Sequence, residues 1–126
     1  MITNVHSIMI YVENPKAVAA FWINQVGFTK LSESTYMPGD DTCYIELKPT
    51  DSAITTITLH DKAFVGKMQP SMNLGTPSML FKTDDISALH AKLKANNVAV
   101  GDIMDMGGMV TFNFPDPEGN YFAICE

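Results

Sequence analysis

The chain has 126 residues, 46% hydrophobic and 17% charged, with a net charge of -6 at pH 7. That length and apolar content indicate one globular domain with a real core and argue against disorder. The acidic balance, without any Lys/Arg cluster, speaks against nucleic acid and anionic membrane surfaces as partners. No apolar run is long enough to cross a bilayer, and "MITNVHSIMIYVENP" lacks the basic start of a signal peptide, so a cytoplasmic location is expected. Cys43 and Cys125 stand in no C-x-x-C arrangement, which leaves a structural zinc or thioredoxin-like site without support. Nine methionines in a chain of low charge suit a ligand cleft or an oligomer interface as well as a Met-rich core.

In chain order, "VHSIMIYV" is short, apolar and β-branched, and reads as a strand. In "ENPKAVAAFWINQVGF", Asn14 is a helix N-cap, Pro15 a first helical residue and Gly27 a terminator. Val18, Phe21, Trp22 and Val26 share one face of that helix, with Trp22 in the core. "FTKLSES" and "TCYIELKP" are strands separated by the turn-forming "MPGDD", and "AITTITLH" is a third, with Ile54, Ile57 and Leu59 among its threonines. "DKAFVGKMQPSMNLGTP" has no clean period and reads as a connector with a short helical turn. Its Met68 and Met72 suit an apolar lid or a dimer contact. "SMLFKT" is then a strand, and "DDISALHAKLKANN" a helix capped by Asp84 or Asp85, with Ile86, Leu89 and Leu93 inward. "VAVGDIM", "GMVTFNFP" and "NYFAICE" are three further strands, the last two joined by a "DPEG" turn.

Shifted by 71 positions, the chain matches itself in character: Ser7 meets Ser78, Glu13 and Asn14 meet Asp84 and Asp85, and Trp22 meets Leu93. Both halves then read β-α-β-β-β. The fold class expected is α+β, two βαβββ units forming a curved, cleft-enclosing mixed sheet with helices outside. Unit one spans about 1–62, the connector about 63–76 and unit two about 77–126, within a single domain.

This pattern, carried by "SIMIYVENPKAVAAFWINQVGF" and "FNFPDPEGNYFAICE", resembles the vicinal oxygen chelate superfamily of glyoxalase I, bleomycin-resistance proteins and extradiol dioxygenases. The resemblance implies a cleft for a small molecule. In metal-dependent members it also implies a divalent ion held by one ligand from the first and one from the last strand of each unit, typically His, Glu, His or Gln, and Glu, which chelates substrate oxygens. Carried onto this chain, those positions fall on Ser7, on Thr58 or His60, on Ser78 and on Ala123. At best one imidazole, His60, remains among hydroxyls and a methyl, so no metal or other cofactor is expected, a divalent metal being the alternative.

The cleft residues expected are therefore Ser7, Thr58, His60, Ser78, Tyr121 and Ala123. His60 is the candidate catalytic residue, because imidazole suits proton transfer or ligand hydrogen bonding; the competing reading is a strand-end histidine bonded to a loop. His6, one residue off Ser7, is expected on the opposite face, under the helix or at the strand start, and His90 has no role. Asp116 and Glu118 read as turn residues. Tyr44 and Glu46 can offer a phenol and a carboxylate to a polar ligand, but an outward-facing charge is the expectation. Among Phe112, Phe114 and Tyr121, some can stack on a planar ligand. The reading is a metal-free small-molecule-binding protein with a cleft for an apolar or aromatic ligand; the alternative is a metal-dependent lyase, isomerase or dioxygenase of the same superfamily. Resemblance and apolar composition also imply a homodimer, with units paired either within a chain or across it.

Overall fold

Asn14 begins the first helix as its sequence requires: its Oδ1 accepts the Ala17 N–H at 3.1 Å, and Pro15 occupies the first turn, where a missing N–H costs nothing. This helix, α1 (Pro15–Phe21), does not run on as α to Gly27. Trp22–Val26 widens into a π turn, in which the Gly27 N–H reaches the Trp22 carbonyl at 2.9 Å. Gly27, at φ 102°, closes it in the left-handed conformation that glycine tolerates.

The computed structural model describes residues 1–105 and 107–126. They form two compact units, Met1–Thr76 and Pro77–Glu126. The first holds β1 (Ser7–Val12), α1, β2 (Thr29–Thr35), β3 (Cys43–Lys48), β4 (Thr56–Asp61) and α2 (Lys62–Met68). Its sheet runs β1-β4-β3-β2, with β1 and β4 parallel and the other pairs antiparallel. Strand alternation sends Ile10, Val12, Ile45, Leu47, Ile57 and Leu59 to one face, where α1 covers them with Val18 and Phe21, followed by the buried Trp22 of the π turn. Each such side chain contributes about 1.5–3 kcal/mol by burial. Trp22, with no exposed surface, is the largest of them, and its truncation to alanine costs about 3–5 kcal/mol.

The second unit repeats the plan with β5 (Leu80–Lys82), α3 (Ile86–Ala95), β6 (Met104–Asp105), β7 (Val110–Pro115) and β8 (Tyr121–Cys125), in the order β5-β8-β7-β6 with β5 and β8 parallel. Here Phe112, Phe114, Phe122 and Ile124 form the buried face, with Ile86 and Leu93 from α3. Two acceptors cap α3: Asp85 Oδ1 takes the Ala88 N–H, and Glu126 Oε1 takes the Ile86 N–H at 2.8 Å. The final residue thus puts a carboxylate at a helix N-terminus, where the macrodipole favours it. Both units are α+β mixed sheets, as the repeat implies.

Three local expectations are corrected. "VAVGDIM" is a strand only at Met104, which begins β6; upstream, Gly101 donates a single bond to the Asn113 carbonyl at 2.8 Å and Val100 turns back onto Val98, so no ladder forms. Ile54 lies outside β4 and is exposed, because β4 starts only where Thr56 N–H can reach the His6 carbonyl. Ser78 precedes β5 and is exposed, next to Pro77, which has no N–H to donate. The short helical turn expected in the connector is α2, a regular helix started by Asp61, whose Oδ1 accepts the Phe64 N–H at 2.9 Å.

Candidate functional site in the first unit

Alternation that buries Ile10 and Ile45 turns Ser7, Met9 and Tyr11 of β1, Thr56, Thr58 and His60 of β4, and Tyr44 and Glu46 of β3 to the face opposite α1. The register sets Met9 beside Thr58, Tyr11 beside His60, and Glu46 beside Thr58. Tyr36 follows β2 and extends its pairing, its N–H reaching the Thr42 carbonyl across the "MPGDD" loop. The loop is drawn tight by Asp40 Oδ1, which accepts the Thr42 N–H and hydroxyl. The face is hollowed into a cavity of about 440 Å³. A second cavity of about 470 Å³ adjoins it, shares Met9, Tyr36 and His60, and is walled by Phe64, Val65 and Met68 of α2 with Met72. Both lie in the size range of small-molecule sites.

The first cavity has a polar end. Ser7 Oγ and Thr58 Oγ1 are 2.6 Å apart, and Glu46 Oε2 accepts the Thr56 hydroxyl at 2.7 Å. His6 Nε2 lies 3.7 Å from the same Glu46 oxygen, with the His6 side chain 85% exposed and that of Glu46 20% exposed. His6 does not pack under the helix but takes the other expected place, at the strand start: its carbonyl accepts the Thr56 N–H at 2.9 Å, and it lines the cavity rim. One expectation is corrected. Glu46 and Tyr44 do not face outward, because Cys43, Ile45 and Leu47 take the buried positions of β3 and leave both on the cavity side.

The other end is aromatic. Tyr36 stacks on Phe64 with ring centres 4.0 Å apart and leans on Tyr44 at 5.0 Å. His60 lies between Tyr44 at 5.2 Å and Tyr11 at 5.9 Å, with interplanar angles of 19° and 29°. Tyr36 Oη is 2.7 Å from His60 Nδ1 and accepts the Asp61 N–H at 3.0 Å. Burial pushes the Tyr36 phenol up to about 12 and pushes the His60 imidazole below its ordinary value, so both are neutral at pH 7. Such a wall offers flat apolar surface for ring stacking, with one imidazole and one carboxylate to orient a ligand. Sequence reasoning missed Tyr36 and Phe64. The signal for Tyr36 was there: Ser32, Ser34 and Tyr36 continue one alternation toward the face of Tyr44 and Glu46.

In the second unit, Tyr121 and Ala123 share the face of β8 opposite α3, and Tyr121 is exposed. Phe112 and Phe114 lie on the other face, buried with Phe122 and Ile124, and so are not stacking surfaces. Asp116 is a turn residue, its Oδ1 accepting the N–H groups of Glu118 and Asn120. His90 bonds the Gly101 carbonyl and rests edge-on against Phe112.

The register also separates Thr58 from His60. The repeat sets Met9 against Leu80; Met9 pairs with Thr58 and Leu80 with Ala123, so Thr58 is the counterpart of Ala123. The positions at which the resemblance implies metal ligands are then Ser7, Thr58, Ser78 and Ala123. Three neutral hydroxyls, two of them bonded to each other, and a methyl group do not make a divalent-ion site. Among the described residues, no cluster of three or more His, Cys, Asp or Glu side chains is placed to hold an ion.

Known proteins agree with this architecture. The model of the Glyoxalase/Bleomycin resistance protein/Dioxygenase superfamily matches residues 4–124. The uncharacterized protein YetH of Bacillus subtilis (strain 168) is 27% identical over 127 residues, covering 100% of both chains. The crystal structure of TnmS3, an antibiotic binding protein from Streptomyces sp. CB03234, superposes with a TM-score of 0.79 at 26% identity over 98% of this chain and 95% of its own. A lactoylglutathione lyase from Agrobacterium tumefaciens shares the fold alone, with a TM-score of 0.74 at 16% identity, over 100% of this chain and 95% of that one.

Proposed function

Because the chain belongs to the glyoxalase/bleomycin resistance protein/dioxygenase superfamily, we propose that it is a small-molecule-binding protein whose first unit holds an apolar or aromatic ligand without a metal ion. The observation that carries this reading is the aromatic wall of Tyr36, Tyr44, His60 and Phe64 around a cavity of about 440 Å³. Stacking and apolar burial supply the affinity, and Glu46 and His60 orient the ligand. The donor set at Ser7 and Thr58 supports binding over metal-assisted chemistry, since hydroxyls bonded to one another neither hold nor charge-balance a divalent ion. The likeness to an antibiotic binding protein, at 26% identity, points the same way.

A thermal-shift screen of planar aromatic and cationic compounds tests the proposal. A ligand that binds only the native state raises the melting midpoint, and a panel without any stabiliser counts against the reading. The proposal includes a cytoplasmic homodimer, supported by the family and by exposed apolar side chains such as Leu31 and Met104. A monomeric mass in light scattering at micromolar concentration contradicts that part.

A further inference from the structure

Tyr36 has one proton and two neighbours. Its oxygen already accepts the Asp61 N–H at 3.0 Å, and His60 Nδ1 at 2.7 Å is the only acceptor near its hydroxyl among the described residues. The phenol stays protonated at any physiological pH, held up by burial. The arrangement that satisfies every group has Tyr36 donating to Nδ1, which leaves the imidazole proton on Nε2. The opposite tautomer would point Nδ1–H and the Asp61 N–H at one oxygen and strand the phenol proton in a partly buried site. The ring is flanked by Tyr11 and Tyr44, with ring centres 5.9 and 5.2 Å away, which limits its reorientation. His60 lines both cavities, and among the described residues its only hydrogen-bond partner is Tyr36.

We infer that Tyr36 fixes His60 as the Nε2–H tautomer, so that the first unit selects planar aromatic ligands carrying a hydrogen-bond acceptor, such as a carbonyl oxygen, over equally flat ligands that carry a donor. This deepens the binding function proposed above and rests on it. Tyr36 is a positioning residue in this arrangement; His60 is the group that touches the ligand. A donor group set against His60, rather than against Glu46, would have to force the other tautomer and break the Tyr36 bond.

Three tricyclic compounds of nearly one size and shape separate the possibilities: 9-fluorenone, with an acceptor; carbazole, with an N–H donor; and fluorene, with neither. Calorimetric titration of the full chain is expected to show 9-fluorenone bound about fivefold to tenfold more tightly than carbazole or fluorene, the weight of one ordinary hydrogen bond. Tyr36→Phe keeps the ring stack and removes the hydroxyl, so the preference for 9-fluorenone over carbazole narrows. In the free protein, nitrogen-15 NMR is expected to give His60 Nδ1 the shift of an unprotonated ring nitrogen, whatever the ligand result. Equal affinity for the three compounds overturns the inference and leaves the aromatic site standing. Binding of none of them overturns both. A protonated Nδ1 in the free protein at pH 7.5 overturns the inference by itself.

Discussion

Ser7 Oγ and Thr58 Oγ1 stand 2.6 Å apart across the parallel pair β1 and β4, each the other's hydrogen-bond partner. In a metal-dependent relative of this fold the corresponding positions are expected to point charged or imidazole donors at a shared ion. Here the two groups are neutral and satisfied. Protein purified without chelator is therefore expected to carry only substoichiometric zinc, nickel, iron or manganese by elemental analysis. Treatment with EDTA should leave its melting midpoint unchanged. Stoichiometric metal, or a midpoint that drops on chelation, would count directly against this reading of the donor set.

Asp116 is 5% exposed and gathers the Glu118 N–H, the Asn120 N–H and the Asn120 side-chain amide onto one carboxylate. Asp116→Ala strips these donors of their acceptor, and a loss of about 1–3 kcal/mol in urea unfolding is expected. Asp116→Asn keeps one acceptor oxygen and should lose less. Equal stability of all three proteins would show that the turn holds without its side chain.

Much of this architecture is legible in the sequence because local chemistry and long-range packing agree. Asn14, Gly27 and Asp85 mark helix ends by side-chain and backbone preferences that tertiary contacts did not override. The β-α-β-β-β order was visible from alternation and from the match of Ser7 with Ser78. The errors fall where alternation alone does not decide. "VAVGDIM" has strand composition, but upstream of β6 only Gly101, among the described residues, makes a backbone bond to β7; Val98 and Val100 bond locally. The orientation of Glu46 depends on which residues of β3 take the buried face, and Cys43, Ile45 and Leu47 settle it. Phe64 was hidden in a segment with no period, because α2 is a helix of seven residues too short to show one.

Burial lowers the His60 pKa below its ordinary 6.5, so the folded protein binds fewer protons at this site than the unfolded chain does. By linkage, the stability that neutral His60 permits is present above about pH 6.5 and is lost as pH falls through the lowered folded value. NMR titration is expected to place His60 below the ordinary value of 6.5. The melting midpoint of His60→Gln should fall less than that of the parent between pH 6.5 and pH 5. Parallel curves for the two proteins would remove His60 from the acid response.

Phe64 is held by the Asp61 cap of α2 and stacks on Tyr36 at 4.0 Å, yet it is only half-buried. Phe64→Ala should therefore weaken aromatic ligands more than it weakens the fold. An aromatic pair is worth about 0.5–1.5 kcal/mol beyond burial, so a loss of roughly twofold to tenfold in affinity is expected. Calorimetry read beside a urea melt separates the two effects, and an unchanged affinity would place the ligand away from α2.

The most direct test of the central claim is a titration of isotope-labelled protein with 9-fluorenone, followed through its aromatic side-chain NMR signals. A ligand bound in the first unit shifts the ring resonances of Tyr36, Tyr44, His60 and Phe64 together, with one saturating curve, and leaves Trp22 and Phe114 in place. Shifts confined to other residues, or none at saturating ligand, would contradict the assignment of the aromatic cavity as the binding site.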